Sequence, residues 1–595
     1  MSLPFLVRVL DIPLSKLNAY QTLFDHHPEL DRHVRFVRIL DDLAVTMFRH
    51  CNWATSIQIY EPSDDEEDEV TGTVRRVPRF HPPSDDRLKE THRHWLQLKA
   101  FITRRWSGAR FDITCGVSSV NGLSEALKRP NLKRNVVALR WIGDHVEPED
   151  SDGEEERRRA RYSKLWTKVA KVIQAVVKAQ EGHDVKLATL QIEDRHDDTP
   201  LSHWIAECVW HAVEGIPSSH LHTWSVNVRS PCSNEPSESN VFSRDWSNMK
   251  RLVFNVGAED EEFDVTTRIE NEELEPDVDT WISAHPLLEH LDIRAWSTIP
   301  PLSLAYDFPN LTSIALQQCE PAPVGDFLLQ HGHKLIELEL PRCIRSGGLP
   351  AAIRPGLVMP NLRILRAPPR VAAALVDGQS VPQLAHIELK WTKGYRELML
   401  EEWILPGSEV AYSITCLEIR LEDDELVTAL QGLSSTSFNA DRFPSLVELC
   451  LSSTYESSTL EGNFKAFGFS LNYLRIILEL LEPLQSLRAL RIEGSPFRPL
   501  ASDEIHMRAD RAPRRLGYIT WHSPSFNYSE QLRVMFDPPQ VSDETPREWL
   551  VMRRLPASFR AHISEEGEWI RSCKVWNNNT LFDHTVSPPR LPPQS

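Results

Sequence analysis

The residues able to do chemistry in this 595-residue chain are its histidines, cysteines and carboxylates, and their spacing decides which chemistry is open to them. The 23 histidines include the close pairs His92/His94, His220/His222 and His331/His333. Two positions apart on a strand, both rings would point to one side, which is the beginning of a metal site. No third or fourth ligand stands at a recognisable distance, so these read as solvent-facing side chains and no metal is expected. Nine cysteines with no CxxC pair fit neither a paired zinc site nor a disulfide scaffold. Reduced thiols of an intracellular protein fit them better. The chain carries no G-x-G-x-x-G, G-x4-G-K-[ST], H-E-x-x-H or G-x-S-x-G, so phosphate cradles, zinc-protease sites and nucleophile elbows are not expected. The expectation is a chain with no catalytic residues and no cofactor.

Charge and hydropathy narrow the remaining classes. Asp and Glu number 85 against 66 Lys and Arg, a formal net charge of −19, and general nucleic-acid binders show the opposite balance. Hydrophobic residues at 41% and charged residues at 25% are the composition of a folded globular chain. No apolar run approaches the roughly 18 to 20 residues of a membrane span. The first apolar run is broken by Pro4, Arg8 and Asp11 too early for a signal peptide. Cytoplasm or nucleus follows, with neither membrane nor nucleic acid as a partner.

The strongest signal is self-similarity. The spacing L-x-x-L-x-L, with other apolar residues allowed, recurs at Leu187/Leu190/Ile192, Leu221/Trp224/Val226, Met249/Leu252/Phe254, Leu288/Leu291/Ile293 and Leu311/Ile314/Leu316. It continues at Leu335/Leu338/Leu340, Leu362/Leu365/Ala367, Leu384/Ile387/Leu389, Ile414/Leu417/Ile419, Leu446/Leu449/Leu451, Leu487/Leu490/Ile492 and Leu516/Ile519/Trp521. The mean step of about 30 residues is that of irregular leucine-rich repeats. The last two apolar sites of each triplet share one face of a short strand, and the first seats the incoming turn on the same core. Proline precedes several triplets, at Pro309, Pro360, Pro382 and Pro444, where it fixes φ before a ladder begins. Cys319 and Cys343 fall at the Asn/Cys site of such a repeat and read as buried packing. Amphipathic stretches at residues 200–213, 424–430 and 471–481 would form the outer layer. The predicted architecture is an α/β solenoid, a horseshoe with a parallel sheet on its concave face.

Three regions follow from this spacing. Residues 1–182 read as degenerate repeats, with strand entries at 27–39 and 130–141 and acidic insertions at 63–69 and 147–156. A helix led by Arg157 should bury Tyr162, Leu165, Trp166, Val169, Ile173 and Val176 and end near Gly182. Residues 183–525 hold the regular solenoid. Residues 526–595 form a cap and a proline-rich, partly disordered tail.

In such a sheet the residues two, four and six after the first apolar site face the concave side. These are Arg251, Asp292, Arg294, Glu337, Glu339, Arg366, Glu388, Glu418, Glu448 and Arg491, with His386, Lys390, Arg420 and Glu493 beside them. Acidic side chains dominate from Glu337 to Glu448. Taken singly each reads as a solvated strand residue; together they suggest a groove for a protein segment with exposed Lys or Arg.

The Phe/Met/Val-Pro-x-Leu entries, the irregular period and the segment His27-Pro-Glu-Leu30…Val34…Val37-x-Ile39 resemble the F-box/leucine-rich-repeat proteins of basidiomycete fungi. The resemblance implies a non-catalytic interaction module, the substrate-recognition part of an F-box-type ubiquitin ligase receptor. The family's F-box, a three-helix module, has no counterpart ahead of Pro4. A Skp-type adaptor is therefore an expected partner only if an F-box lies upstream of Met1. The alternative is an orphan leucine-rich-repeat scaffold with no ligase coupling.

Overall fold

A computed structural model describes residues 9–41, 85–102, 105–106, 108–143, 152–193, 207–228, 244–256, 284–295, 307–317, 321–342, 357–376, 381–392, 404–421, 438–453, 471–493, 504–508, 512–523, 528–540 and 547–554. The acidic residues 63–69, Cys319, Cys343, the stretch 424–430 and the proline-rich end lie outside them. Two compact units are present, and their division passes through the strand Ser313–Gln317.

The first unit is built on eight strands: β1 (Val9–Pro13), β2 (Phe36–Leu40), β3 (Arg110–Gly116), β4 (Val136–Ile142), β5 (Thr189–Glu193), β6 (Thr223–Val228), β7 (Arg251–Val256) and β8 (His290–Ala295). Each pairs in parallel with the next. β9 is the divided strand Ser313–Gln317. The second unit repeats the pattern with β10 (Glu337–Arg342), β11 (Ile364–Ala367), β12 (His386–Thr392), β13 (Cys416–Leu421), β14 (Glu448–Ser453) and β15 (Ala489–Glu493). β15 then pairs in parallel with β17 (Tyr518–Ser523), because β16 (Glu504–Arg508) turns away to pair antiparallel. β18 (Tyr528–Gln540) and β19 (Arg547–Arg554) complete an antiparallel end. Within each unit the parallel sheet is open and described helices connect several of its strands, a solenoid-like α/β arrangement.

Register explains why the apolar triplets build a core. In the second unit Leu338, Leu365, Ile387, Leu417, Leu449, Leu490 and Ile519 stand level on successive strands, all buried. In the first, Ile12, Ile39, Ile113, Leu139, Leu190, Trp224, Leu252 and Leu291 do the same. Each such side chain contributes about 1.5–3 kcal/mol when buried, and only stacking buries it.

The strand entries share one hydrogen-bond pattern in both units. From Ala188 onward, a carbonyl just before a strand repeatedly accepts two successive N–H groups from the next repeat. Ala188 O takes those of His222 and Thr223 at 2.9 and 3.0 Å; Ile336 O takes those of Arg363 and Ile364 at 2.8 and 3.0 Å. Ahead of that, a turn closes on the first apolar site, as in Leu362 N–H to Met359 O and Leu446 N–H to Phe443 O, both 3.2 Å. Pro360 and Pro444 occupy the second position of these turns, where a fixed φ suits them. A polar side chain just before the first apolar site clasps the preceding repeat. Asn248 and Asn361 donate to Ser219 O and His333 O, both at 2.8 Å, and Ser486 donates to Pro444 O at 2.5 Å.

The long helix runs Asp152–Ala179, buries Trp166, Val169, Ile173 and Val176, and gives way at Gly182, whose φ of +73° is open to glycine. Helices Glu207–Glu214 and Leu471–Leu481 stand where amphipathic segments were expected. None of the close histidine pairs lies on a strand: His92/His94 sit on helix Asp85–Ile102, and the others sit at turns or helix ends. No described helix is long and apolar enough to cross a membrane.

Packing between helices leaves one position without room for a side chain. A Cβ on Gly122, in helix Val120–Ala126, would stand 2.6 Å from Cδ1 of the buried Trp95. Gly122→Ala should lower the unfolding free energy by about 1–3 kcal/mol in urea titrations, whereas Gly108→Ala, with open space around it, should not show that loss.

Candidate functional site

Parallel strands in register bring equivalent positions of every repeat side by side, about 4.8 Å apart. On the face opposite the apolar rows this stacks charge on charge, so the sequence must alternate signs or bridge like charges. In the second unit one row reads Glu339, Arg366, Glu388, Glu418, Cys450, Arg491, Thr520, and a parallel row reads His386, Cys416, Glu448, Ala489.

Arg366, on β11, is the first bridge. Its Nη1 pairs with Glu337 and, at 3.4 Å, with Glu339 on β10, while its Nε reaches Glu388 on β12 at 2.9 Å. Ser313 Oγ donates to Glu337 Oε2 at 3.0 Å. Burial works to lower the Arg366 pKa, but Glu337, Glu339 and Glu388 outweigh it and hold the guanidinium above its ordinary value. Glu388 and Glu418 are like-charged register neighbours, and Arg420 resolves the conflict. Its Nε lies 2.9 Å from Glu388 Oε1 and its Nη2 3.2 Å from Glu418 Oε1. Glu418 Oε2 lies 3.2 Å from Arg491 Nη2 and 3.9 Å from His386 Nε2.

Arg491 also donates through Nε and Nη2 to Cys450 Sγ, at 3.2 and 3.0 Å. Cys416 stands between His386 and Glu448 in register. Burial first, and then Glu448 and Glu418, push its thiol well above the ordinary range, so it stays protonated and uncharged. Cys416 and Cys450 are one strand and two residues apart, about 8 Å between Cα atoms, which is beyond disulfide reach.

The residues singled out from spacing divide accordingly. Glu337, Glu339, Arg366, Glu388, Glu418, Glu448 and Arg491 share the second unit's polar face. They are less solvated than spacing alone suggests: Glu388 is 4% exposed, Glu418 3% and Glu448 0%. Arg251 and Asp292 belong to the first unit, on β7 and β8, half-buried and buried respectively. Arg294 pairs in register with Asn255, and its side chain is outside the described set.

Spacing passed over a second polar group in the first unit. Asp112 on β3 accepts from Arg140 Nε and Nη2 at 3.0 and 3.2 Å and lies 3.5 Å from Arg38 Nε. Arg140 Nη1 donates to Gln191 at 2.8 Å. The strand Arg110–Gly116 enters without a leading leucine, so the triplet rule had nothing to catch there. Cys416, Cys450 and Ser452, by contrast, occupy face positions by the same rule and were missed only because charge was the criterion.

Among the described residues no group of three or more His, Cys, Asp or Glu side chains could hold a metal. No protein-family model and no curated protein matches the chain. The arrangement is a continuous ionic and thiol ladder across six strands.

Two outcomes follow from the ladder. Arg366→Met removes the cation shared by Glu337, Glu339 and Glu388, leaving only Glu388 its second pair with Arg420, and should cost about 3–5 kcal/mol of stability by chemical unfolding, more than Glu337→Gln at the rim. Cys416 has its folded pKa raised, so its contribution is complete below the ordinary thiol value of 9.0 and is lost as pH rises through and beyond it. Unfolding free energies measured from about pH 8 to about pH 10 should therefore decline, and Cys416→Ala should flatten part of that decline.

Proposed function

We propose that this chain is a non-catalytic protein–protein interaction module, a leucine-rich-repeat horseshoe whose recognition surface is the polar sheet face carrying Glu337 to Arg491. The observation supporting this reading is the composition of that face. Four glutamates and three arginines form one connected network on strands whose opposite side carries the apolar rows. Its preferred partner is a protein with a basic segment, drawn by complementary charge. Glu337, with its side chain 28% exposed, and Glu339 and Arg366 at 12% form the reachable rim. The work is done in the cytoplasm or nucleus.

Resemblance to basidiomycete F-box/leucine-rich-repeat proteins extends the reading to substrate recognition for a ubiquitin ligase. That step is analogy of pattern rather than of site. An orphan scaffold would use the same face without an adaptor.

Affinity purification of the intact protein with mass spectrometry tests both levels. Glu337→Gln combined with Glu339→Gln removes charge at the rim and keeps the shape. The proteins captured by the wild type should be lost selectively, at least about tenfold, in a variant that unfolds at the same denaturant concentration. Unchanged capture would discard this face as the recognition surface. A Skp-type adaptor among the captured proteins supports the ligase reading; its consistent absence favours the orphan scaffold.

A further inference from the structure

Lysines along the outer side of the long helix Asp152–Ala179 form a second charged surface, opposite in sign to the sheet face. Residues 157–180 hold four arginines, four lysines and no Asp or Glu, in a chain whose formal net charge is −19. Lys164, Lys168, Lys171 and Lys178 are all exposed. At about 3.6 residues per turn they fall within an arc of about 80°, and at about 1.5 Å per residue the stripe runs about 21 Å. The inward side of the same helix buries Trp166, Val169, Ile173 and Val176. Among the described residues none forms an ion pair with these four lysines. Lys168 Nζ donates to the neutral Asn121 Oδ1 at 2.7 Å.

The carboxylates on the flanking helices are engaged elsewhere. Glu125, on helix Val120–Ala126, is shared by Lys128 and by Lys99 at 3.3 Å, and those hydrogen bonds, Lys128 first, hold its pKa below the ordinary value. Glu214, on helix Glu207–Glu214, lies 2.9 Å from His211 Nδ1. Both helices pack on the long one. The short helix Pro130–Arg134 packs there too and brings Lys133 and Arg134 without a carboxylate. Like charges one turn apart, as Lys164 and Lys168 are, destabilise a helix. The helix dipole favours a cation in the last turn, which accounts for Lys178 and not for the other three.

Separately from the acidic face of the second unit, we propose that the stripe Lys164, Lys168, Lys171 and Lys178 docks one short acidic segment of a partner protein. Its length fits such an occupant, since six or seven residues of extended chain at about 3.3 Å each span it. Alternate side chains of that chain stand about 6.6 Å apart, close to the rise of about 6 Å from Lys164 to Lys168. A nucleic-acid duplex or a bilayer would reach past the stripe onto a chain with a large excess of negative charge, and screening confines the lysines' attraction to about 8–10 Å. Helices that lie on membranes also insert apolar side chains, and among the described residues no exposed large apolar side chain lies on the long helix.

The test uses the full chain and two synthetic peptides, acetyl-Gly-Glu-Asp-Glu-Asp-Glu-Gly-amide and its counterpart with Gln and Asn, which keeps the shape and removes the charge. By calorimetric titration in about 0.05 M salt, the acidic peptide should bind at least about tenfold more tightly than the neutral one, and the advantage should shrink in about 0.3 M salt. Lys164→Gln combined with Lys171→Gln and Lys178→Gln should abolish the preference while unfolding at the same denaturant concentration. Removing as much charge off the stripe, with Lys16→Gln, Lys89→Gln and Lys250→Gln, should leave it intact. Equal affinities, or no binding of either peptide, overturns the docking surface, and the wild-type comparison decides this even if a variant fails to fold. A stripe variant that keeps the preference, or an off-stripe variant that loses it equally, overturns the assignment to these lysines. Stripe-dependent binding of a short DNA duplex or of phosphatidylserine vesicles that is tighter than that of the acidic peptide overturns the choice of a protein segment.

Discussion

Everything in this molecule depends on holding consecutive repeats at the same depth. The paired N–H groups that converge on one carbonyl, as at Ile336 O and Ala188 O, leave each new strand a single register against the last. A slip of one residue would turn every side chain to the opposite face. With register fixed, Leu338 must meet Leu365, and Leu365 must meet Ile387, so small apolar contributions fuse into continuous rows. The same constraint forces Glu388 against Glu418. The apolar core and the charge ladder are thus two faces of one geometric requirement.

That requirement also explains what the amino-acid sequence made legible. Every one of the twelve apolar triplets begins a parallel strand, from Thr189–Glu193 to Tyr518–Ser523. Their signal was clear because a row of buried leucines tolerates little else, and because Pro360 and Pro444 mark turns whose φ is fixed. The strands Val9–Pro13, Phe36–Leu40 and Arg110–Gly116 were faint or silent, since their inward rows use Ile12, Ile39 and Ile113 after entries of irregular length. The antiparallel strands Glu504–Arg508, Tyr528–Gln540 and Arg547–Arg554 were not legible at all. They pair with one another and with β17, and carry no repeat.

For the candidate face, alternation along a strand shows which way a side chain points but not what it meets. Spacing placed Glu388 and Glu418 on the polar side and read them as solvated. Their near-complete burial comes from Arg366, Arg420 and Arg491, which reach them from neighbouring strands. Such contacts join residues 22 to 73 positions apart, and no local pattern announces them. The bridging role of Arg420 needed the register, because it sits two residues beyond Glu418 and acts diagonally.

Buried ion pairs are poor instruments of stability. Well-packed apolar residues of similar volume often do as well or better, since the desolvation of two ions can exceed their attraction. A sheet whose other face already buries seven level aliphatic side chains has little need of them for cohesion. What a connected ladder offers instead is pre-organisation. Arg366 holds three carboxylates at fixed positions, and Arg491 holds a carboxylate and a thiol, so an incoming charged segment meets groups that need not reorganise. The first unit, where Asp112 is shared by Arg38 and Arg140, uses the same device with the opposite excess of charge. On the interaction reading proposed above, polar faces held in this way would serve discrimination between partners rather than cohesion.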